Sequence, residues 1–332
     1  MENFNESKNP KISLIITLYN QKNYISKIYS CIYHQSLKDI EIIFVDDDSK
    51  DNSSIIINEL KKKDKRINYI KNLFNKGQFY SRNLGAFISK GEYILIIDPD
   101  DLLLSNILIK TYETAKFYDL DILQFYHMMG SYQNNYLFHM NLSISSILYP
   151  PKIKEVFFNT SDRYLWDKLI KRNIFIKSII FMKKQFRNQR FYMHNDELAC
   201  FGLFQVANSY GLLDEIGYFY NRFNPNSTTK EIYKLKYINK RFHTMFSIMK
   251  YYFEQSNNNL YEKVMGGYNF FQLRIFPRNF RLIKYITEGF DYIDDILNLY
   301  LKCPFFNDEQ KNKLKKFKDK VNMRKMKIYK EK

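Results

Sequence analysis

Three aspartates lie within four residues of the chain, in the run Asp98-Pro99-Asp100-Asp101, directly after the apolar stretch YILII. Mg²⁺ and Mn²⁺ prefer oxygen ligands and commonly bind one or two carboxylates together with the phosphates of a substrate. Two carboxylates that stand two positions apart at a strand end can share one such ion. The run therefore predicts a metal site at Asp98 and Asp100, and its alternative is an acidic turn that caps the next helix.

A second acidic group, Asp46-Asp47-Asp48, ends the apolar stretch IEIIFVD. A carboxylate accepts hydrogen bonds from an imide N–H or from ribose hydroxyls, so Asp47 suits a nucleoside. An earlier apolar stretch ends in TLYN, Thr17 to Asn20, where Tyr19 would face the base. The two strand ends together predict a nucleoside pocket. The alternative for the acidic group is capping of the following helix by Asp48 or Ser49.

The apolar stretches alternate with segments of helical periodicity, which is typical of a doubly wound α/β layer. We predict strands at 11–19, 40–46, 67–71 and 93–97, and helices at 24–34, 53–63 and 78–89. The strands are mostly apolar rather than alternating, which favours a parallel sheet covered on both faces. In such sheets ligands bind beyond the carboxyl ends of the strands, and both acidic groups fall there.

The chain is strongly basic, with 52 Lys and Arg against 35 Asp and Glu and a formal net charge of +17. Such an excess favours polyanionic partners. The densest basic run lies between Lys311 and Lys332, and its two main interpretations are a solvated helix with its tail and contact with an anionic membrane surface. The remaining basic residues are dispersed and form no recognisable motif, so we do not expect a nucleic-acid partner.

Cysteine usage and hydropathy favour a cytosolic protein that is either free or peripheral to a membrane. The three cysteines are far apart and lack metal-ligand spacing, so they indicate neither a disulfide framework nor a zinc site. The first ten residues are polar and acidic, unlike a signal peptide, and the sequence has no run of about 18 apolar residues.

Three segments, ISLIITLYNQKNYI (12–25), EIIFVDDDSKDNS (41–53) and NKGQFYSRNLGAFISKGEYILIIDPDD (75–101), resemble the N-terminal region of family 2 glycosyltransferases. The resemblance implies the GT-A fold, a Rossmann-like and mostly parallel sheet flanked by helices. It implies a nucleotide-sugar-binding half at 1–125 and an acceptor-binding and catalytic-base half at 126–230. The residues after 230 match no known pattern, and their periodicity predicts a helical region at 231–332 with the basic tail.

The resemblance also implies roles for individual residues in the first half. Thr17, Tyr19, Asn20 and Asp47 would form the nucleoside pocket. Asp98 and Asp100 would form the D-x-D site for Mn²⁺ or Mg²⁺, with Asp100 the direct ligand and Asp98 nearer the ribose or a metal-bound water. Arg82 in SRNLG would organise the donor site, although a structural salt bridge is an alternative. Asp48 replaces the family's usual Gly, which puts the conformation of that loop in question.

In the second half, His194-Asn195-Asp196-Glu197 resembles the family's Glu-Asp motif, with Asn195 in place of Glu. Asp196 is then the expected catalytic base, and Glu197 is the fallback because an amide cannot act as a base. Trp166 to Lys171 resembles a stretch that lies near the acceptor in relatives, with plain packing as the alternative. Arg222, after Tyr220 and Asn221 and before the run 226–228, is expected to steady the diphosphate.

These features predict an inverting, metal-dependent transferase that moves a sugar from a nucleotide-diphosphate sugar, with UDP favoured, to a hydroxyl on a glycan, lipid or protein. One alternative is a sugar nucleotidyltransferase, which usually has a Gly-rich loop after its first strand that TLYNQKNY lacks. The other is an inert binding protein with the same fold, which the substituted Asn195 favours slightly and the intact D-x-D opposes.

Overall fold

The computed structural model describes residues 9–130, 135–136, 147–159, 163–185, 195–221 and 224, with single positions between 298 and 326. The chain divides into two compact units. Unit 1 consists of residues 1–153, 162–187 and 195–225. Unit 2 consists of residues 154–161, 188–194 and 226–332. The predicted site residues, except those after 225 and His194, belong to unit 1.

The first hundred residues alternate between strands and helices, as the periodicity predicts. The elements are β1 (Ile12–Leu18), α1 (Lys22–Tyr33), β2 (Ile40–Asp46), α2 (Ser53–Lys63), β3 (Ile67–Lys71), α3 (Gln78–Ile88) and β4 (Tyr93–Ile97). Each of the seven predicted elements is confirmed, with end points that differ by two residues at most. The predictions succeed here because apolar runs and helical periodicity are both strong in this part of the chain.

The later elements are more irregular. They are β5 (Leu102–Leu103), α4 (Ile107–Phe117), β6 (Ile122–Gly130), β7 (Asn135–Tyr136), α5 (Lys152–Asn159), β8 (Lys168–Lys171), α6 (Arg172–Gln185), α7 (Asn195–Val206) and β9 (Tyr210–Asn221). The helical region predicted at 231–332 lies outside the described residues except for single positions, which are helical. Within the described residues, no helix combines the length and apolar composition needed to span a bilayer.

The described strands form one sheet in the order β3-β2-β1-β4-β8-β6-β9-β5, with β7 beside β6. β1 pairs in parallel with β2 and β4, and β2 pairs in parallel with β3. β8 is antiparallel to both β4 and β6, whereas β9 runs parallel to β6. The sheet is thus parallel in its first half and mixed in its second. The carboxyl ends of β1, β2, β4 and β9 consequently point toward the same edge.

The core lies on both faces of this sheet. Every residue of β1, β2 and β4 is buried. Helix α1 buries Ile25, Ile28 and Ile32, whose spacing places them on one face of the helix. This burial fixes the strands firmly, so that the loops at their carboxyl ends are held at defined positions.

Two glycines allow close contacts in the first half. A Cβ on Gly85 of α3 would lie 2.5 Å from Ile15 Cγ2, and a Cβ on Gly91 would lie 2.5 Å from the Ser13 backbone N. The glycine in SRNLG therefore lets α3 approach β1 closely. Because Arg82 precedes Gly85 by three residues, it lies on the same buried face of α3.

Candidate functional site

The loops after β1 and β2 are joined by three hydrogen bonds. The Asn20 backbone N donates to Ser49 Oγ at 2.9 Å, and the Lys50 backbone N donates to Asn20 Oδ1 at 2.8 Å. The Lys22 backbone N donates to Asp51 Oδ2 at 2.9 Å. Asn20 adopts a left-handed φ of 53°, which Asn tolerates better than most residues. Tyr19, Asn20 and Asp47 therefore lie on two loops that are bonded to each other, while Thr17 lies near the end of β1.

Asp47 organises the turn that leads into α3. Its Oδ1 accepts from Asn72 Nδ2 at 2.7 Å and from the Lys76 backbone N at 2.9 Å, while its Oδ2 accepts from the Gly77 backbone N at 2.7 Å. The side chain is buried, with 4% exposure. The sequence interpretation missed this structural task, although the Gly in NKG, which has a φ of 89°, is a signal for a tight turn.

Thr17 and Tyr19 differ in their access to solvent. Thr17 is buried, and its Oγ1 has no hydrogen-bond partner among the described residues. Tyr19 is 47% exposed, so its ring offers an accessible surface for stacking. These two properties fit a pocket that supplies one buried hydroxyl and one exposed aromatic ring to a ligand.

Asp48 has the backbone conformation that the family's glycine would allow. Its φ is 70°, in the left-handed region, and its side chain accepts from Lys50 Nζ at 2.6 Å. Aspartate is among the few non-glycine residues that adopt this region readily. The loop after β2 therefore keeps a left-handed turn although Asp48 replaces the family's usual Gly.

The aspartates after β4 are held by different partners. Asp98 Oδ1 accepts from Arg82 Nη2 at 2.8 Å and from Gln78 Nε2 at 3.1 Å. Asp100 Oδ2 accepts from Asn224 Nδ2 at 2.6 Å, and Asn224 Oδ1 in turn accepts from Tyr24 Oη at 2.9 Å. Residues from α1, α3 and the chain after β9 therefore converge on the D-x-D run.

Asp101 is buried and accepts two hydrogen bonds from the end of β9. Its Oδ1 accepts from the Asn221 backbone N at 2.8 Å, and its Oδ2 accepts from Tyr218 Oη at 2.8 Å. Burial and the carboxylates of Asp100 and Asp98 raise the pKa of Asp101 well above its ordinary value. Burial and Asp98 likewise raise the pKa of Asp100.

Burial is the larger cause of both raised pKa values, and repulsion between the neighbouring carboxylates adds to it. A divalent cation beside these carboxylates would relieve that repulsion, and carboxylate oxygens are the ligands that Mg²⁺ and Mn²⁺ prefer. The residues present therefore fit the predicted metal. Among the described residues no group of three or more His, Cys, Asp and Glu side chains surrounds one point.

Arg82 joins the predicted metal ligand Asp98 to the predicted base Asp196. Its guanidinium is 2% exposed, and its Nη2 donates to Asp98 Oδ1 while its Nη1 donates to Asp196 Oδ1. Burial opposes the charge on Arg82, but the carboxylates of Asp196 and Asp98 outweigh this effect and raise its pKa. The structure shows the predicted salt bridge, and its two carboxylates belong to predicted site residues.

Asp196 and Glu197 occupy the first turn of α7, where the helix dipole favours negative charge. They face different cations. Asp196 contacts Arg82, whereas Glu197 Oε1 lies 3.3 Å from the Nη1 of the buried Arg163. The structure therefore brings Asp196, and not its fallback, to the guanidinium that also holds Asp98. The neighbouring His194 lies outside the described residues.

Trp166 packs inside unit 1. It is 1% exposed and stacks on Tyr164 and Tyr218 at centroid distances of 4.6 Å each. The adjacent Asp167 and Lys168 are fully buried and form an ion pair at 2.6 Å. This burial favours the packing interpretation of the stretch 166–171 over exposure to an acceptor.

Arg222 and the run 226–228 lie outside the described residues. The sequence interpretation also missed Gln78, Tyr218 and Asn224 as partners of the aspartates, and Tyr24 as the partner of Asn224. Their contacts span between 20 and 200 positions of sequence, and no local pattern signals such pairs.

Comparison with proteins of known sequence identifies glycosyltransferase relatives. EpsJ of Bacillus subtilis, described as an uncharacterized glycosyltransferase, is 30% identical over 230 residues, which are 68% of this chain and 64% of EpsJ. Poly(ribitol-phosphate) beta-glucosyltransferase of Bacillus spizizenii is 39% identical over 115 residues, 34% of this chain and 18% of that enzyme. The chain thus spans less than two thirds of the length of either relative.

Comparison with solved structures shows the fold. TarS 1–349 of S. aureus in complex with UDP matches with a TM-score of 0.71, and its complex with UDP-GlcNAc matches with 0.70. Both comparisons have 15% identity and cover 96% of this chain and 89% of the TarS chain. The predicted GT-A fold is therefore confirmed.

The sequence profile described as Glycosyl transferase family 2 matches residues 13–179, half of the chain. The match includes the loops after β1, β2 and β4, with Arg82, Asp98 and Asp100. The resemblance of the three N-terminal segments is therefore confirmed, and this chain belongs to glycosyl transferase family 2.

Proposed function

We propose that this protein transfers a sugar from a nucleotide-diphosphate sugar to an acceptor hydroxyl, with inversion at the anomeric carbon and with the help of Mn²⁺ or Mg²⁺. The observation that carries the proposal is the Arg82 bridge between Asp98 and Asp196. This bridge supports the proposal because an inverting transfer needs a base for the acceptor proton and stabilisation of the leaving diphosphate, and Asp196 and Asp98 are the residues proposed for these tasks.

The donor would lie along the shared edge of the sheet. Tyr19 would stack on the base, and Thr17, Asn20 and Asp47 would form the polar part of the nucleoside pocket. Asp47 Oδ2 accepts one bond from Gly77 in the structure, so its second lone pair suits a donor from the nucleoside. UDP is the proposed nucleotide because TarS, which shares the fold, is solved with UDP and with UDP-GlcNAc.

Asp98 and Asp100 would hold the metal ion. When bound, the ion supplies Lewis-acid stabilisation of the departing diphosphate. Asp196 would accept the proton of the acceptor hydroxyl as that oxygen attacks the anomeric carbon, and the C–O bond to the diphosphate would break on the opposite side of the ring. Arg82 would keep the Asp196 carboxylate oriented during this step. Arg222 remains a proposed contact of the diphosphate.

The acceptor would carry its hydroxyl on a glycan, a lipid or a protein. The family alone does not choose among these classes. The name of the Bacillus spizizenii relative specifies a poly(ribitol-phosphate) acceptor for that enzyme. A negatively charged polymer of this kind would also suit a chain of net charge +17, so it belongs in any acceptor screen together with lipid-linked sugars.

A panel of nucleotide sugars, incubated with the full chain, Mn²⁺ and candidate acceptors, tests the proposal by mass spectrometry of the products. We expect one UDP-sugar to give a product, whose anomeric configuration in NMR spectra is opposite to that of the donor. Asp100→Ala and Asp196→Asn should each lose most of this activity. Asp119→Asn is the matched control because that carboxylate is 84% exposed and lies outside the site.

Retention of configuration would contradict the inverting mechanism. Consumption of nucleoside triphosphates and sugar phosphates, without transfer from any nucleotide sugar, would instead support a nucleotidyltransferase. Full activity of Asp196→Asn would remove the proposed base.

A further inference from the structure

The hydroxyl of Tyr218 contacts both ends of the Asp98 to Asp101 run. It accepts a hydrogen bond from the Asp98 backbone N at 3.1 Å and donates one to Asp101 Oδ2 at 2.8 Å. The same turn is closed by a bond from the Asp101 backbone N to the Asp98 carbonyl oxygen at 3.2 Å. One side chain of β9 thus completes a turn that lies 117 positions earlier in the sequence.

The ring of Tyr218 is itself held in place by aromatic packing. It is fully buried and stacks on Trp166 with an angle of 16° between the rings. Tyr164 also stacks on Trp166, at an angle of 20° between the rings, and His127 packs edge-on against Trp166 at 4.5 Å. A ring packed in this way has little room to move, so its hydroxyl stays at a fixed position beside the turn.

Asp101 is the buried carboxylate that accepts the hydrogen bond from the Tyr218 hydroxyl. Its other oxygen accepts from the Asn221 backbone N, so both of its oxygens are bound to β9. Asp98 instead accepts from Arg82 on α3, and Asp100 accepts from Asn224. Three carboxylates in four residues would otherwise repel one another without a preferred arrangement. The contacts of β9 separate one of them from the other two.

We propose that Tyr218 is a positioning residue for the metal site, whose hydroxyl fixes the turn so that Asp98 and Asp100 are presented to the metal ion while Asp101 is kept in the core. This inference rests on the proposed function. It also gives a task to the aromatic stretch around Trp166, which supports the tyrosine ring and does not need to contact a substrate. Partners of metal ligands of this kind commonly change metal affinity about 10–100-fold when they are removed.

Tyr218→Phe tests the proposal because it removes the hydroxyl and keeps the stacked ring. The matched control is Tyr93→Phe, since Tyr93 is also fully buried, lies on β4 and donates its hydroxyl to the Ala115 carbonyl oxygen, away from the motif. We would titrate Mn²⁺ into each full-length protein with saturating UDP and measure bound Mn²⁺ by electron paramagnetic resonance. Thermal unfolding of each protein would be recorded in parallel.

We expect Tyr218→Phe to weaken Mn²⁺ binding by about tenfold or more, and Tyr93→Phe to leave it unchanged. In a transfer assay, saturating Mn²⁺ should restore most of the lost kcat of Tyr218→Phe, which a merely destabilised protein would not show. If Tyr218→Phe does not fold, Asp101→Asn tests the same link from the carboxylate side, with weaker Mn²⁺ binding expected.

Three outcomes are separable. Unchanged Mn²⁺ affinity in a folded Tyr218→Phe, or in Asp101→Asn if that variant is needed, overturns this inference and leaves the proposed function standing. Equal weakening by Tyr218→Phe and Tyr93→Phe also overturns it, because the effect would then follow from general loss of packing. Absence of Mn²⁺ binding by the wild-type protein with UDP contradicts the metal-dependent function, and this inference fails with it.

Discussion

The buried guanidinium of Arg82 donates a hydrogen bond to Asp196, which lies 114 positions further along the chain. The second amino group of the same guanidinium donates to Asp98. One planar, permanently charged group therefore sets the distance between the end of β4 and the first turn of α7. A flexible lysine cannot hold two carboxylates in this fixed geometry.

Arg82→Lys should therefore impair both stability and transfer. Breaking a buried charged network commonly costs about 3–5 kcal/mol, and we expect a value near the lower limit because Asp98 and Asp196 are partly exposed. Urea denaturation measures this loss. Arg66→Lys is the control, since the Arg66 pair with Asp64 lies outside the site and is 21% exposed at the arginine. Equal destabilisation by both variants would contradict a special task for Arg82.

Asp48 provides a test of the left-handed turn after β2. Asp48→Val should destabilise the protein by about 1–2 kcal/mol because a β-branched residue disfavours a φ of 70°. Asp48→Gly should change stability by less than about 1 kcal/mol, since relief of strain is offset by greater freedom in the unfolded chain. Thermal unfolding of the two variants decides the matter. Equal stability of Asp48→Val and Asp48→Gly would rule out the left-handed conformation.

Gly85 and Gly91 should tolerate alanine poorly, for different reasons. At Gly91 the new Cβ would meet the Ser13 backbone, which cannot rotate away, so we expect a loss of about 3 kcal/mol. At Gly85 it would meet a methyl group of Ile15, and repacking should limit the loss to about 1–2 kcal/mol. Calorimetry checks this order. The reverse order would show that β1 and Gly91 are not in close contact.

The contribution of Asp100 and Asp101 to stability without metal should fall as pH rises from about 4 through their raised folded-state pKa values. At these two carboxyls the folded protein binds more protons in this window than the unfolded chain, so their ionisation favours unfolding. Mn²⁺ with UDP competes with these protons. We therefore expect their combined stabilisation in thermal unfolding to be larger at pH 8 than at pH 5. The same stabilisation at both values would argue against these carboxylates as the binding groups.

The sequence predicted the part of the molecule whose signals are local. The apolar runs of β1, β2 and β4, together with the periodicity of the helices between them, were sufficient for the fold of the first half. The same signals also correctly predicted that Asp47 and Asp98 lie at the carboxyl-end edge of the sheet. The structure adds that Asp47 holds the turn at Gly77, a task that becomes visible only when the donors around it are known.

The contacts of β9 could not be predicted in the same way. Tyr218 and Asn221 reach Asp101 because β5, which directly follows Asp101, pairs antiparallel with β9. β5 has only two residues, and so short a strand has no pattern in the sequence that would predict its partner. Likewise, Asp196 contacts Arg82 and Glu197 contacts Arg163, and adjacent positions in a sequence do not reveal this difference.

The central claim is that Asp98 and Asp100 hold a divalent ion beside a nucleoside diphosphate. Isothermal titration of UDP into the full-length protein, with and without Mn²⁺, tests it most directly. We predict that Mn²⁺ tightens UDP binding at least about tenfold in the wild-type protein and that Asp100→Asn abolishes this gain. The Asp119→Asn control should keep the gain. UDP affinity that is independent of Mn²⁺, or a gain that Asp100→Asn retains, would contradict the account.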